Sequence, residues 1–504
     1  MKRTKHNLSY YKLLTCDMGK LVPIGLTEVL PGDTIQHSTS LLVRFTPQLS
    51  PVMHPISVRV HHFYVPNRLV FPQWGDFITG GADGVGGGSV YPTNAGSVTV
   101  AQGEPLDYMG VPPATYAAGK LGMMALRGYN MVFNEFYRDE DLVTAVTQDT
   151  NVTQNVSWEK DYFTSSRPWT QKGPQVTLPL GTSATVKTGS SALVTGAQAD
   201  AMYMTRVSGA SPGASFALGT GAAGPGSSRV LGESNITQGA ATYNGLYPAN
   251  LYADLSTATA ANVNAIRQAF ALQRYQEARA QYGHRFTEYL RYLGITPSDA
   301  RLDRPEYLGG GKQTVSFSEV LRTGNVTADE ATLPIGQLKG HGIAAMRSNR
   351  YRYFCEEHGF ILSLLSIRPR SMYVNGLPRI WRKRTKEDYW QRELERIGQQ
   401  SIPNAELFWQ NAAADDNVFG YQDRYAEYRH NFSNIAGNFR TTLNFWHLAR
   451  IFGGLPTLNQ SFTDCSPGKR VFADQTTTHS CWIMASHSMQ ARRLVGPVGV
   501  GRVI

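Results

Sequence analysis

Residues 56 to 65 alternate with the two-residue period of a half-buried β-strand: Ile56, Val58 and Val60 share one face, and Ser57, Arg59 and His61 the other. The same period closes the stretch 34 to 45, where Leu41, Val43 and Phe45 oppose Ser40 and Arg44. A helix cannot keep either pattern on one side, so the chain begins as β structure. Pro31-Gly32-Asp33 marks a turn before the first stretch, and Pro51, Pro55 and Pro66 bound the second. The two are expected to pair as an antiparallel start joined by a proline-rich turn. Strand signals return at Thr314 to Leu321, after a turn at Gly309-Gly310-Gly311. Residues 359 to 368 (GFILSLLSIR) form a nearly continuous apolar run, as in a strand covered on both faces, and 480 to 491 (SCWIMASHSMQA) read as a final strand. Strands at both ends with long insertions between them suit a Greek-key sandwich.

The insertions differ in kind. A glycine cluster from Gly80 to Gly88 does not match GxGxxG and reads as a surface loop. Residues 123 to 143 read as helical around Gly128, with Asp139, Glu140 and Asp141 as a solvated helix end. Residues 176 to 260 hold six charged side chains in 85 positions and are dominated by Gly, Ala, Ser and Thr. That segment has too few large apolar residues for a core of its own, yet too little charge for a solvated tail. A loop packing against copies of itself reconciles the two; a plain flexible insertion is the alternative. From 262 to 293, Ala265, Ala269, Leu272, Tyr275, Ala278, Tyr282, Phe286, Tyr289 and Leu293 recur at steps of three and four, predicting a core-facing helical stripe divided near Gly283. The domain limits expected are 1–175, 176–260 and 261–504.

Signatures of catalysis are missing: no nucleophile elbow, P-loop or HExxH is present. His61 and His62 are adjacent on a strand and point to opposite faces, and no catalytic, cofactor or metal site is expected. The four cysteines, Cys16, Cys355, Cys465 and Cys481, lack CxxC spacing and are expected as reduced, buried thiols, which fits synthesis in a cytoplasm. Neither a signal peptide nor a membrane-spanning apolar run is found, so the chain is expected to be soluble where it is made.

Charged residues are only 17% of the chain, which suggests a surface partly covered by neighbours, and the net charge is +10. That excess is concentrated. No acid lies between Glu357 and Glu387, a window holding Arg368, Arg370, Arg379, Arg382, Lys383, Arg384 and Lys386 with Tyr373 and Trp381 interleaved. Lys2, Arg3, Lys5 and Lys12 precede the first acid, Asp17, and Arg492, Arg493 and Arg502 follow the last, Asp474. Cations neutralise phosphates while aromatic rings stack on unpaired bases. Candidate nucleic-acid contacts are therefore Lys2, Arg3, Lys5, Arg379, Arg382, Lys383, Arg384, Arg492 and Arg493. The bland alternative for each stretch is a solvated face, or pairing with carboxylates.

Five strings carry a family resemblance: KLVPIGLTEVLPGDT at 20–34, VPNRLVFPQW at 65–74, NEFYRDEDL at 134–142, DDNVFGYQDRYAEYR at 415–429 and LNFWHLAR at 443–450. In this order they resemble the major capsid protein of gokushoviruses (Gokushovirinae, within the Microviridae), tailless single-stranded DNA bacteriophages. The resemblance runs from about residue 20 to residue 490. It departs at Val70-Phe71-Pro72, in the charged 382–398 stretch and in the glycine-rich tail from Val495. It implies an all-β, eight-stranded antiparallel jelly roll with long loop insertions and a few helices, forming a T=1 icosahedral shell. It also implies that three copies of the 176–260 insertion build a threefold protrusion, for which Tyr203, Arg206, Phe216, Arg229 and Tyr243 are candidates. The implied partners are further copies of the chain, a single-stranded DNA genome, an internal scaffolding protein, a DNA pilot protein and a host cell-surface receptor. The implied location is the virion, assembled in a bacterial cytoplasm. A carbohydrate-binding or adhesion β-sandwich is the alternative, and a β-sandwich glycosidase a third reading for which no carboxyl pair stands out.

Overall fold

A computed structural model describes residues 3–81, 88–174, 176, 263–283, 285–321, 338–476 and 479–496, and between 177 and 262 the backbone of five short strands. The chain divides into two units, Met1–Lys172 with Glu277–Ile504, and Gly173–Gln276.

The first unit contains two large antiparallel sheets. The strands are β1 (Thr4–Asn7), β2 (Tyr10–Cys16), β3 (Leu21–Val29), β4 (Thr34–Phe45), β5 (Ile56–Pro66), β6 (Glu306–Thr314), β7 (Ser316–Leu321), β8 (Leu338–Arg347), β9 (Tyr351–Phe354), β10 (Gly359–Pro369) and β11 (Cys481–Arg493). Seven form one sheet. β1 and β2 pair with β11, β11 with β4, β8 and β9 with β4, and β7 with β8. The other four run β6-β5-β10-β3. Together they make a sandwich-like fold with associated helices.

β4 and β5 do not pair, contrary to the expected hairpin: they belong to opposite sheets. Pro47, Pro51 and Pro55 in the connection have no N–H to donate to a ladder. Crossing between layers also lets Leu41, Val43 and Phe45 face Ile56, Val58 and Val60 across one core, which a flat hairpin would not. The glycine run at 309–311 is likewise not a turn. It lies within β6, where a Cβ at Gly310 would meet the Val60 carbonyl oxygen at 2.2 Å. Only glycine lets β6 approach β5 this closely.

A second core lies on the outer face of the four-stranded sheet. Helix α1 (Met124–Val132) sets Leu126, Tyr129 and Val132 against Phe63, Val65, Leu362 and Leu364. β10 is thus covered on both sides, which explains its unbroken apolar sequence. α1 ends in a π-turn at Phe133–Tyr137, and the acids that follow are not a solvated helix end. The Asp139 and Asp141 side chains are only 3% exposed, and Lys160, Arg167 and Lys172 neutralise them. Burial pushes the Asp139 carboxyl up, but Lys160 and Arg167 outweigh it and hold it below the usual range.

Helices α2 (Val263–Tyr282) and α3 (Phe286–Tyr292) form as the periodicity predicts, broken at Gly283 with φ +93°. Their stripe does not face a core. Leu272, Tyr275, Tyr282, Phe286, Tyr289 and Leu293 are 42–62% exposed, while Ala280 and Thr287 are buried. All four cysteines are buried and free of disulfides. In the second unit, Met202–Arg206 pairs with Phe216–Leu218 and Leu246–Pro248, and Thr185–Thr188 pairs with Leu251–Asp254.

Candidate nucleic-acid interface

Helix and loops cover the outer face of the four-stranded sheet; among the described residues, none forms such a layer over the outer face of the seven-stranded sheet. β11 runs through its middle. Cys481, Ile483, Ala485, His487, Met489 and Ala491 point into the sandwich, leaving Trp482, Met484, Ser488 and Arg492 exposed. β4 alternates in step, so Arg44 lies opposite Trp482, Leu42 opposite Met484, Ser40 opposite Ser486 and Ser38 opposite Ser488. Ser40, Ser486 and Ser488 leave the backbone open to close approach, while Ser38 is buried.

The charge on this face has one sign. Lys5, Arg44, Lys339, Arg347, Arg352 and Arg492 occupy outward strand positions, with Arg3 and Arg350 at the margin. The strands of this sheet contain one acid, Glu319, and alternation puts it on the side of Phe317, which packs into the core. Among the described residues, none of these eight cations is in an ion pair. Arg3 donates to the Gly32 carbonyl at 2.8 Å and lies over the Phe354 ring, and Arg350 donates to Gln36 Oε1 at 3.2 Å. Lys5 stands directly opposite Arg492 in the ladder, and like charges so placed repel until an anion screens them.

The candidates named from sequence divide accordingly. Arg3, Lys5 and Arg492 lie on the open face. Arg493 turns away, its Nε 2.9 Å from the fully buried Asp33 carboxylate and its Nη2 donating to the Glu28 carbonyl. Lys12 also points inward, donating to the Pro23 carbonyl, and burial lowers its pKa to about 8. The 379–384 group lies apart from the sheet. Arg379 reaches the buried Glu406 and the Tyr162 hydroxyl, Arg382 pairs with Asp416 at 2.5 Å, and Lys383 pairs with Glu427 beneath the Tyr428 ring. Burial raises the Glu406 pKa to about 7 against the pull of Arg379. Arg384 is exposed without an ion pair among the described residues, near exposed Ile380, Trp381, Tyr389 and Trp390. Lys2, Arg229 and Tyr243 lie outside the described residues, as do the side chains of Tyr203, Arg206 and Phe216.

Sequence reasoning missed Arg44, Lys339, Arg347, Arg350 and Arg352. The signal was available, because scoring acids on the outward positions of each strand separates this face from the rest. Among the described residues, no group of three or more His, Cys, Asp or Glu side chains could hold a metal ion.

Comparison with known proteins follows the same line. The profile of the family described as capsid protein (F protein) matches residues 1–494. The chain is 32% identical over 490 residues to capsid protein VP1 of Bdellovibrio phage phiMH2K, covering 92% of this chain and 88% of that protein. It is 30% identical to capsid protein VP1 of Chlamydia phage 1 (92% and 89% covered) and 27% identical to that of Spiroplasma virus 4 (91% and 87%). None of these similarities supports the carbohydrate-binding alternative.

Proposed function

From the premise that the chain belongs to the capsid protein (F protein) family, and so is a structural and not a catalytic protein, we propose that it is the repeating subunit of an icosahedral single-stranded DNA phage shell whose open sheet face lies against the genome. The observation that carries this is the sheet face itself: eight cations that have no carboxylate partner among the described residues, on a large face that those residues leave open. Such a surface repels its own kind and is stabilised by a polyanion.

The finer reading is a T=1 shell of the gokushovirus type built on a jelly roll. Strand order supports the jelly roll. β2 pairs with β11, β3 with β10, β4 with β8 and β5 with β6, so the chain folds back on itself as four nested antiparallel pairs. These eight strands alone make two four-stranded layers, β2-β11-β4-β8 and β3-β10-β5-β6. The remaining strands extend the edges. The exposed stripe of α2 and α3 and the patch around Trp381 suit contacts between subunits, where a second copy would remove them from water. The 176–260 segment is proposed as the threefold protrusion that meets a host receptor. Scaffolding and pilot proteins are the proposed assembly partners, and the virion, made in a bacterial cytoplasm, the proposed location.

The test is genome retention in purified particles across ionic strength. Screening of phosphate contacts predicts that release occurs at progressively lower temperature as salt rises from about 0.05 to 1 M. Release that ignores ionic strength refutes the charge-based reading of the face.

A further inference from the structure

We propose that the hollow at the Cys481 end of β11, on the open face of the seven-stranded sheet, is a stacking site for unpaired nucleobases, so that this face selects single-stranded over duplex nucleic acid. The proposal rests on the preceding reading of the face as the genome side and adds how an unpaired strand is held there, by its bases as well as its phosphates.

The hollow measures about 500 Å³ and is lined by Leu13, Leu14, Thr15, Leu42, Arg44, Trp482, Ile483 and Met484. Ladder register explains how it forms. Thr15, Trp482 and Arg44 make one cross-strand row, and Leu13, Met484 and Leu42 the next. An indole and a guanidinium therefore border a floor of aliphatic side chains. Tyr11, one further step along β2, is 76% exposed, Leu13 78%, Trp482 48% and Met484 40%. Large apolar groups left in water on an ordered sheet mark a surface with an occupant.

Charge identifies the occupant. A protein segment filling the hollow would need acids arranged around an apolar side chain. The cations here are not gathered into such a ring but strung along the sheet, from Arg44 beside the hollow to Lys5 and Arg492 at the far end of β11. Ten residues of strand separate Trp482 from Arg492, about 33 Å. That distribution suits an extended chain with a charge on every repeat and a flat aromatic group beside each charge. Single-stranded nucleic acid is such a chain: its phosphates meet the cations while its bases turn onto Trp482 and Tyr11. A duplex offers the same phosphates, but its bases are stacked inside and cannot reach the indole.

The experiment measures binding of the dissociated full-length chain to a 20-nucleotide oligo(dT) and to a 20-base-pair duplex across a salt series. The wild type is expected to favour the single strand by tenfold or more. Trp482→Leu is expected to lose at least fivefold in single-strand affinity, leave duplex binding unchanged and keep the salt slope. Trp482→Phe, which retains a ring, restores the preference and separates lost stacking from misfolding. A combined Arg44→Gln, Arg347→Gln, Arg352→Gln variant is expected to flatten the salt slope for both ligands. Ultraviolet cross-linking of intact particles should place nucleotide adducts on Trp482 or Tyr11. Wild-type strand preference in Trp482→Leu, or cross-links from the hollow to peptide instead of nucleotide, overturns the stacking proposal alone. Absence of salt-dependent binding to either ligand overturns the underlying reading of the face.

Discussion

Acid should loosen the sandwich through His37 and His487, and the arrangement of these rings sets both sign and size. His487 Nε2 donates to the Ile24 carbonyl at 3.0 Å, so its Nδ1 must accept when the ring is neutral. It accepts from the Thr39 hydroxyl at 3.0 Å or from His37 Nε2 at 3.1 Å, and His37 Nδ1 lies 2.9 Å from the Tyr351 hydroxyl. Every ring nitrogen is thus committed with both rings neutral. A proton added to His487 Nδ1 would displace the donor it now accepts from and leave a charge buried away from water. Burial lowers the His37 pKa to about 3 and the His487 pKa to about 4; His487 further depresses His37, and Lys12 further depresses His487. The folded-state pKa lies below the unfolded value of about 6.5, so between these limits the unfolded chain binds more protons. The stability contributed by neutral burial is complete above about pH 6.5 and is lost as pH falls below it. From pH 6.5 to 5 each ring loses about 1.5 pKa units' worth, roughly 2 kcal/mol, and the pair roughly 4 kcal/mol. The assay is urea unfolding of the full-length chain and of a His37→Gln, His487→Gln variant at pH 7, 6 and 5. Groups remote from the two rings titrate alike in both proteins and cancel in the difference, among them Glu406, whose raised pKa favours folding as pH falls. The wild type should lose about 4 kcal/mol more than the variant on going to pH 5. Equal acid sensitivity of the two proteins would refute the assignment of these rings as neutral donors and acceptors.

Neighbouring arginines should behave in opposite ways. Arg493→Gln leaves the buried Asp33 carboxylate without its cation and should destabilise the chain by about 3–5 kcal/mol in urea unfolding. Arg492→Gln should change stability by less than about 0.5 kcal/mol, yet reduce the salt slope of nucleic-acid binding by about one. Leu126→Ala should cost about 2–5 kcal/mol, because the fully buried side chain fills the space between α1 and the four-stranded sheet; calorimetry of the purified chain checks it. Gly310→Ala would drive a methyl into the Val60 carbonyl, and a loss of more than about 2 kcal/mol, with faster amide exchange along β5 and β6, is expected.

What sequence revealed of the fold follows from what each pattern measures. Alternation measures which residues share a face, and at β4 and β5 it named the inward residues correctly, while β11 was read only as a strand. It does not measure which strand lies alongside. β4 and β5 therefore read as a hairpin, although their shared inward faces are better satisfied across two layers. The glycines of β6 misled for a related reason. Three in a row suggest a turn, but the close approach of another backbone also demands glycine, and only the partner strand tells the two apart. Asp139 and Asp141 read as solvated because the cations that neutralise them, Lys160, Arg167 and Lys172, come from a later stretch of chain.

The site was legible only where charge and strand direction coincide. A window free of acids reports the local balance along the chain, and in the 379–386 window that balance is restored by Glu406, Asp416 and Glu427 from beyond it. In β11 the same kind of window contains Arg492 and Arg493, one residue apart and on opposite faces, so one meets Asp33 and the other meets solvent. Conversely Arg44 lies far in sequence from Arg347 and Arg352, and antiparallel pairing of β4 with both β8 and β9 gathers the three onto one surface. The stripe of α2 and α3 makes the complementary point. Its periodicity is that of a buried helix face, yet one chain leaves it in water. The subunit contact proposed for this stripe would account for the pattern. On the proposed reading, a second copy would take the stripe out of water as the phosphates of a genome would neutralise the cations of the seven-stranded sheet, so both patterns would be written for an assembly.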